Sequence, residues 1–190
     1  KDDVIYIDTK SNESFVIRNN TFRNARRYGI LLQNSYGIIE RNLFENLSQS
    51  GITLYNGVDW GEGFIAHDIV IKQNIFNNCG YDLAFLNQEN AATIKMVVNK
   101  LKNLNAKGKW NGTAKSEWNG IENITITNNI FSYNKRALSI ECSENTIVKS
   151  CLLLAYTTQL FPVPKTIKTY CYTSMLAQAE MLRFVIEHFR

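Results

Sequence analysis

The residues with the most chemistry to offer crowd into Gly57-Val58-Asp59-Trp60-Gly61-Glu62-Gly63-Phe64-Ile65-Ala66-His67-Asp68. Asp59 and Glu62 supply the two carboxyl groups that acid/base chemistry at a sugar requires, one to protonate a departing oxygen and one to activate water. Trp60, between them, offers a flat apolar face on which a sugar ring can stack. The same residues also fit a solvated loop, whose glycine-rich turns take polar side chains. His67 next to Asp68 reads first as a surface hydrogen-bonding pair, and as a substrate contact or proton shuttle only second.

A loop can hold such groups in place only if something regular carries it, and the chain repeats. The phrase I-x-x-N-x-F occurs as Ile17 to Phe22, Ile39 to Phe44, Ile71 to Phe76 and Ile126 to Phe131, with the first two copies 22 residues apart. A second segment keeps step: Gly29-Ile30-Leu31-Leu32 is followed 22 residues later by Gly51-Ile52-Thr53-Leu54. Leu83-Ala84-Phe85 and Leu138-Ser139-Ile140 take the matching places in the third and fourth copies. Self-similarity at a short fixed period marks a solenoid in which each repeat stacks on the next.

Alternation within the strands puts Phe15, Ile17, Ile69, Ile71, Ile124 and Ile126 on the core face. Asn20, Asn42, Asn74 and Asn129 fall just past a strand, where a residue that tolerates left-handed backbone is wanted. Stacked in register they predict an internal ladder of amides; sugar binding is the other use such residues have. Phe22, Phe44, Phe76 and Phe131 predict an inward aromatic column, and Ala25, Leu47 and Cys79 a further inward row. A fifth coil begins at Ile147, with Cys151 in the Asn place and Leu153 in the Phe place.

The expected fold is therefore all-β, a right-handed parallel β-helix of four to five coils over residues 1–153, followed by a C-terminal helical segment. Insertions interrupt the step at about 57–68 and 87–121, the second holding Trp110 and Trp118 and reading as a lid or an excursion beside the coil. Insertions in solenoids gather on particular faces, often the binding face. Asp82 before the second strand of the third coil and Glu141 after that of the fourth are further acidic candidates. Glu141 is expected in a row with Gln33, Tyr55 and Leu86, at a strand end facing a groove. In the tail, 154–190, apolar residues from Leu176 to Phe189 recur at helical spacing, which predicts an amphipathic helix suited to capping a sheet edge.

The totals narrow the classes. In 190 residues, 45% apolar and 20% charged content is that of a folded domain, and a net charge of +4 without a Lys/Arg run gives no footprint for nucleic acid. No apolar stretch reaches the roughly 20 residues a membrane-spanning helix needs. Cys79, Cys142, Cys151 and Cys171 show no C-x-x-C and no paired spacing with histidine, so zinc is not expected and buried free thiols are. The start, Lys1-Asp2-Asp3, reads as a cut from a longer chain with further coils on that side.

With its coils, the Asp59-Trp60-Gly61-Glu62-Gly63 insertion running into Ile71 to Phe76, and the later Ala91-Ala92-Thr93-Ile94 to Phe131 stretch, the chain resembles glycoside hydrolase family 110 over about residues 14–150. The resemblance implies bacterial exo-acting α-1,3-galactosidases that remove terminal galactose with inversion, secreted or periplasmic, without metal or cofactor. It implies a carboxyl pair standing roughly 6.5–9.5 Å apart, for which Asp59, Glu62 and Asp82 are the leading residues, with Trp60, His67, Glu141 and Tyr55 as substrate contacts. A glycan is the expected partner. A noncatalytic glycan-binding or structural β-helix of the surface or tailspike type, or another polysaccharide-degrading β-helix, is the competing expectation.

Overall fold

Only one face of a strand such as Ile69-Val70-Ile71 can leave water, and stacking one repeat on another is what buries it. A computed structural model describes residues 14–58, 63, 65–88, 91–102, 113–154 and 168–170. The repeats wind into a parallel β-helix with three sheets. The first sheet runs through Phe15–Arg18, Gly37–Glu40, His67–Lys72, Ile121–Thr127, Ile147–Lys149 and Lys168–Tyr170. The second stacks Thr21–Arg23, Leu43–Leu47, Ile75–Cys79, Ile130–Ser132 and Leu152–Leu154; the third stacks Ile30–Leu32, Ile52–Tyr55, Ile94–Val97 and Leu138–Ile140.

The expected columns are present. Ile17 pairs with Ile39, Ile39 with Ile71, Ile71 with Ile126 and Ile126 with Val148. Phe22, Phe44, Phe76 and Phe131 form a continuous stack with ring centroids 4.9, 4.7 and 5.0 Å apart. That stack explains the glycines that open the third-sheet segments. A Cβ on Gly29 would come within 2.6 Å of the Phe44 ring, and one on Gly51 within 2.7 Å of the Phe76 ring.

Beside the aromatic column runs the amide ladder. The Asn42 Oδ1 accepts the backbone N–H of Asn20 at 2.9 Å, Asn74 Oδ1 that of Asn42 at 3.0 Å, and Asn129 Oδ1 that of Asn74 at 2.9 Å. The Asn74 amide nitrogen donates both to the Ile39 carbonyl and to Asn129 Oδ1, so one side chain ties its own coil to both neighbours. The left-handed backbone lies one residue earlier than the sequence suggested, at Asn19, Arg41, Gln73, Asn128 and Ser150. The preceding residue makes the bend, which leaves the ladder Asn free to turn inward. Cys151 takes the Asn place of the fifth coil, its Sγ 3.9 Å from the Ile126 carbonyl, and Leu153 pairs with Phe131.

One strand assignment is corrected. Leu83-Ala84-Phe85, expected in the third sheet, forms the short helix α1 (Leu83–Leu86), and Ile94–Val97 takes the place between Ile52–Tyr55 and Leu138–Ile140. Asp82 decides the first point, because its carboxylate accepts the backbone N–H groups of Ala84 and Phe85 at 2.7 and 3.4 Å, and Leu and Ala are good helix formers. Ile94 and Met96 alternate inward with Lys95, as a strand requires. Residues 94–97, expected in the long insertion, are thus part of the wall. Beyond them Asn99–Leu101 pairs antiparallel with Thr113–Lys115. The helix expected over residues 175–189 lies outside the described residues, as do Asp59, Trp60, Glu62 and Cys171.

Asn74→Ala removes partners from a buried N–H and a buried carbonyl at once and should cost about 3 kcal/mol. Cys151→Asn extends the ladder by one rung and should add about 1 kcal/mol. Urea unfolding midpoints at unchanged slope read both; a loss in the second variant would count against the ladder as the source of stability.

Cys79, Cys142 and Cys151 are buried free thiols. Burial pushes the Cys79 pKa from 9.0 up to about 12, against smaller lowering contacts from the Leu47 and Asn77 backbone. A thiol with a raised folded value stabilises the fold below its unfolded value, and that contribution is lost as pH rises through the folded one. Thermal midpoints should therefore fall as pH climbs from 9.0 toward about 12, and Cys79→Ala should flatten that fall.

Candidate functional site

Because inward rows are fixed by the core, the residues between them must face outward; on the third sheet this row runs from the exposed Leu31 to the nearly buried Thr53. Leu31 pairs with Thr53 and Thr53 with Lys95, giving an outward row that rises one coil at a time. Around it a groove of about 550 Å³ is walled by Arg27, Tyr28, Gln49, Phe85 and Gln88 on one side. Tyr55, Val97 and Asn99 line the groove beyond the row.

Local structure holds these walls. Phe85 is placed by α1, which Asp82 caps. Asn56 and Asn99 clamp each other, the Asn56 amide donating to the Asn99 carbonyl at 2.8 Å and accepting the Asn99 N–H at 3.0 Å. Ser48 donates to the Arg26 carbonyl, fixing the segment that leads to Arg27 and Tyr28. The Gln49 N–H donates to the Arg27 carbonyl at 3.4 Å. Lys95 stands with its ammonium 6.0 Å from the Phe85 ring centre, and burial pushes its pKa down while Glu141 pulls it up. The Thr53 hydroxyl, on a residue only 4% exposed, has no hydrogen-bond partner among the described residues.

The sequence candidates are distributed around this groove rather than gathered in it. Tyr55 lines it. Asp82 stands one corner away as the cap of the helix that carries Phe85. Glu141 follows the end of Leu138–Ile140, its N–H donating to the Met96 carbonyl at 3.0 Å, and its carboxylate pairs with Lys115 at 3.3 Å. Its row therefore runs through Tyr55 and Val97, not Leu86, because Ile94–Val97 is the strand. His67 opens a strand of the first sheet, its Nδ1 2.6 Å from Asp68 Oδ2 and its ring edge-on to Tyr36 at 4.9 Å. It is not among the groove residues.

Asp59, Trp60 and Glu62 lie outside the described residues. Val58 follows Tyr55 closely in the chain, and a Cβ on Gly63 would come within 2.6 Å of the Gln33 side chain, one residue past Leu32.

Sequence reasoning missed Lys95, Thr53, Phe85 and Arg27. Period-two alternation carried the signal for Thr53, outward between Ile52 and Leu54, and carries the same signal for Lys95 once Ile94–Val97 is read as a strand. Arg27 had no such pattern. Among the described residues no group of His, Cys, Asp and Glu is arranged to hold a metal ion, and no helix is long and apolar enough to cross a membrane.

Asp82 has a structural duty that is separable from chemistry. Asp82→Ala should cost about 1 kcal/mol, whereas Asp82→Asn should keep the cap to within a few tenths. Thermal unfolding of the two variants checks this, and a loss of activity in the Asn variant, whose cap and stability are kept, would belong to the carboxyl group itself.

A search of curated proteins gives no significant match. The family model described as right handed beta helix region matches residues 3–155, which hold the columns of Ile, Phe and Asn and every strand of the three sheets named above except Lys168–Tyr170. The chain belongs to the right-handed β-helix family.

Proposed function

We propose that this β-helix is carbohydrate-active and seats a glycan in the outer groove of its third sheet. The lining of that groove carries the reading: Tyr28 and Tyr55 give aromatic faces, and Gln49, Gln88 and Asn99 give amides that bond hydroxyls as donor and acceptor. Its volume of about 550 Å³ suits a sugar unit or two. The right-handed β-helix is a fold that polysaccharide-degrading enzymes and glycan-binding proteins share, in accord with such a site.

The finer reading is exo-acting, inverting removal of a terminal α-linked galactose from secreted or periplasmic glycans. Asp59 and Glu62 divide the acid and base roles, Trp60 stacks on the ring, and Asp82, His67 and Glu141 are outer candidates. What supports this is the resemblance of the repeat and insertion order. One observation favours the noncatalytic alternative: no carboxylate is among the groove's described lining residues.

Galactose release from an α-1,3-linked galactoside, with binding followed by calorimetry, separates the two. Hydrolysis reduced about a hundredfold or more in both Asp59→Asn and Glu62→Gln, with binding retained, is the expected outcome. Binding lost in Tyr55→Ala but no hydrolysis in the unaltered chain would leave a glycan-binding β-helix. Absence of any glycan binding would overturn the groove.

A further inference from the structure

Among the described residues the charge lining the groove is one-sided. Arg27 and Lys95 line it, and no carboxylate does so among the described residues. Two of the described acidic groups have other duties: Glu141, whose charge acts on Lys95, pairs directly with Lys115 at 3.3 Å, and Asp82 caps α1. Lys95 has no ion-pair partner among the described residues. A cation held partly out of water without a direct ion-pair partner is costly, and a fold that keeps one there gains most from a ligand that supplies the anion.

We propose that the groove selects glycans bearing an anionic substituent, a carboxylate or a sulfate, with the anion seated on Lys95 and the sugar hydroxyls on Thr53. This rests on the glycan reading of the same groove and names the substrate class within it. The outward row has the matching order. Leu31 offers an apolar surface, Thr53 directly beside it in the ladder offers a buried hydroxyl with no partner among the described residues, and Lys95 beside Thr53 offers the charge. An acidic pyranose presents the same sequence of an apolar ring face, a ring hydroxyl and a peripheral anion. Phe85 beneath the ammonium limits the water that would otherwise screen it. Burial lowers the Lys95 pKa, and an anion bound beside it would act against that shift.

Calorimetric titration of the full chain with three oligosaccharides of equal length tests this: a uronate oligosaccharide, a sulfated galactan fragment and a neutral galactan fragment. At least one acidic ligand should bind about tenfold or more tightly than the neutral one. Lys95→Gln should erase that preference and Lys95→Arg should keep it, neither lowering the thermal midpoint, while Tyr55→Ala weakens all three ligands. The two acidic arms tell carboxylate from sulfate. Equal affinities for acidic and neutral ligands, or a preference that survives Lys95→Gln, would overturn the inference yet leave the groove a glycan site if Tyr55→Ala still weakens binding. No binding of any of the three would remove both.

Discussion

The amides of Asn42, Asn74 and Asn129 are buried where water cannot serve them, so each must find its partners in the coils above and below. A shift of a single residue in any coil would strand a donor and an acceptor and would turn the neighbouring isoleucines outward. Register is thus enforced twice, by polar satisfaction and by the aliphatic and aromatic columns. The groove inherits that enforcement. Leu31, Thr53 and Lys95 align on the outer face only because Ile30, Ile52 and Ile94 align on the inner one.

The solenoid was legible in the sequence because its constraints are local and repeated: an inward Ile, an inward amide and a Phe recur with the same spacing, and each occupies the column expected of it. The third coil was misread at one strand for an equally local reason. Leu83-Ala84-Phe85 copies the apolar spacing of a wall segment, but a capping Asp82 and helix-forming neighbours divert it, and the wall resumes at Ile94. Hydrophobic pattern alone does not distinguish these. The groove was less legible still, since it draws on Arg27, Thr53, Phe85 and Lys95 from separate coils and corners, whose proximity follows from the stacking and not from any motif.

Charge tells a similar story. Two of the described lysines are matched: Lys72 by Glu40 at 3.2 Å across the first sheet, and Lys115 by Glu141 at 3.3 Å. Lys95 differs because its neighbours on the row are Thr53 and Ser139, and the ring near its ammonium is Phe85. The same residue type therefore has different meanings according to the face and row it occupies, and these depend on the register.

The corner between Tyr55 and His67 holds ten residues more than the equivalent corner of the preceding coil, whose spacing follows the 22-residue step, yet Ile39 and Ile71 still meet in one column. Vertical neighbours sense only one another, so the length of a corner is invisible to the stack. A wall built this way separates what must stay constant from what can vary, and segments grafted at that corner can be exchanged, lengthened or diversified while the scaffold beneath keeps its register.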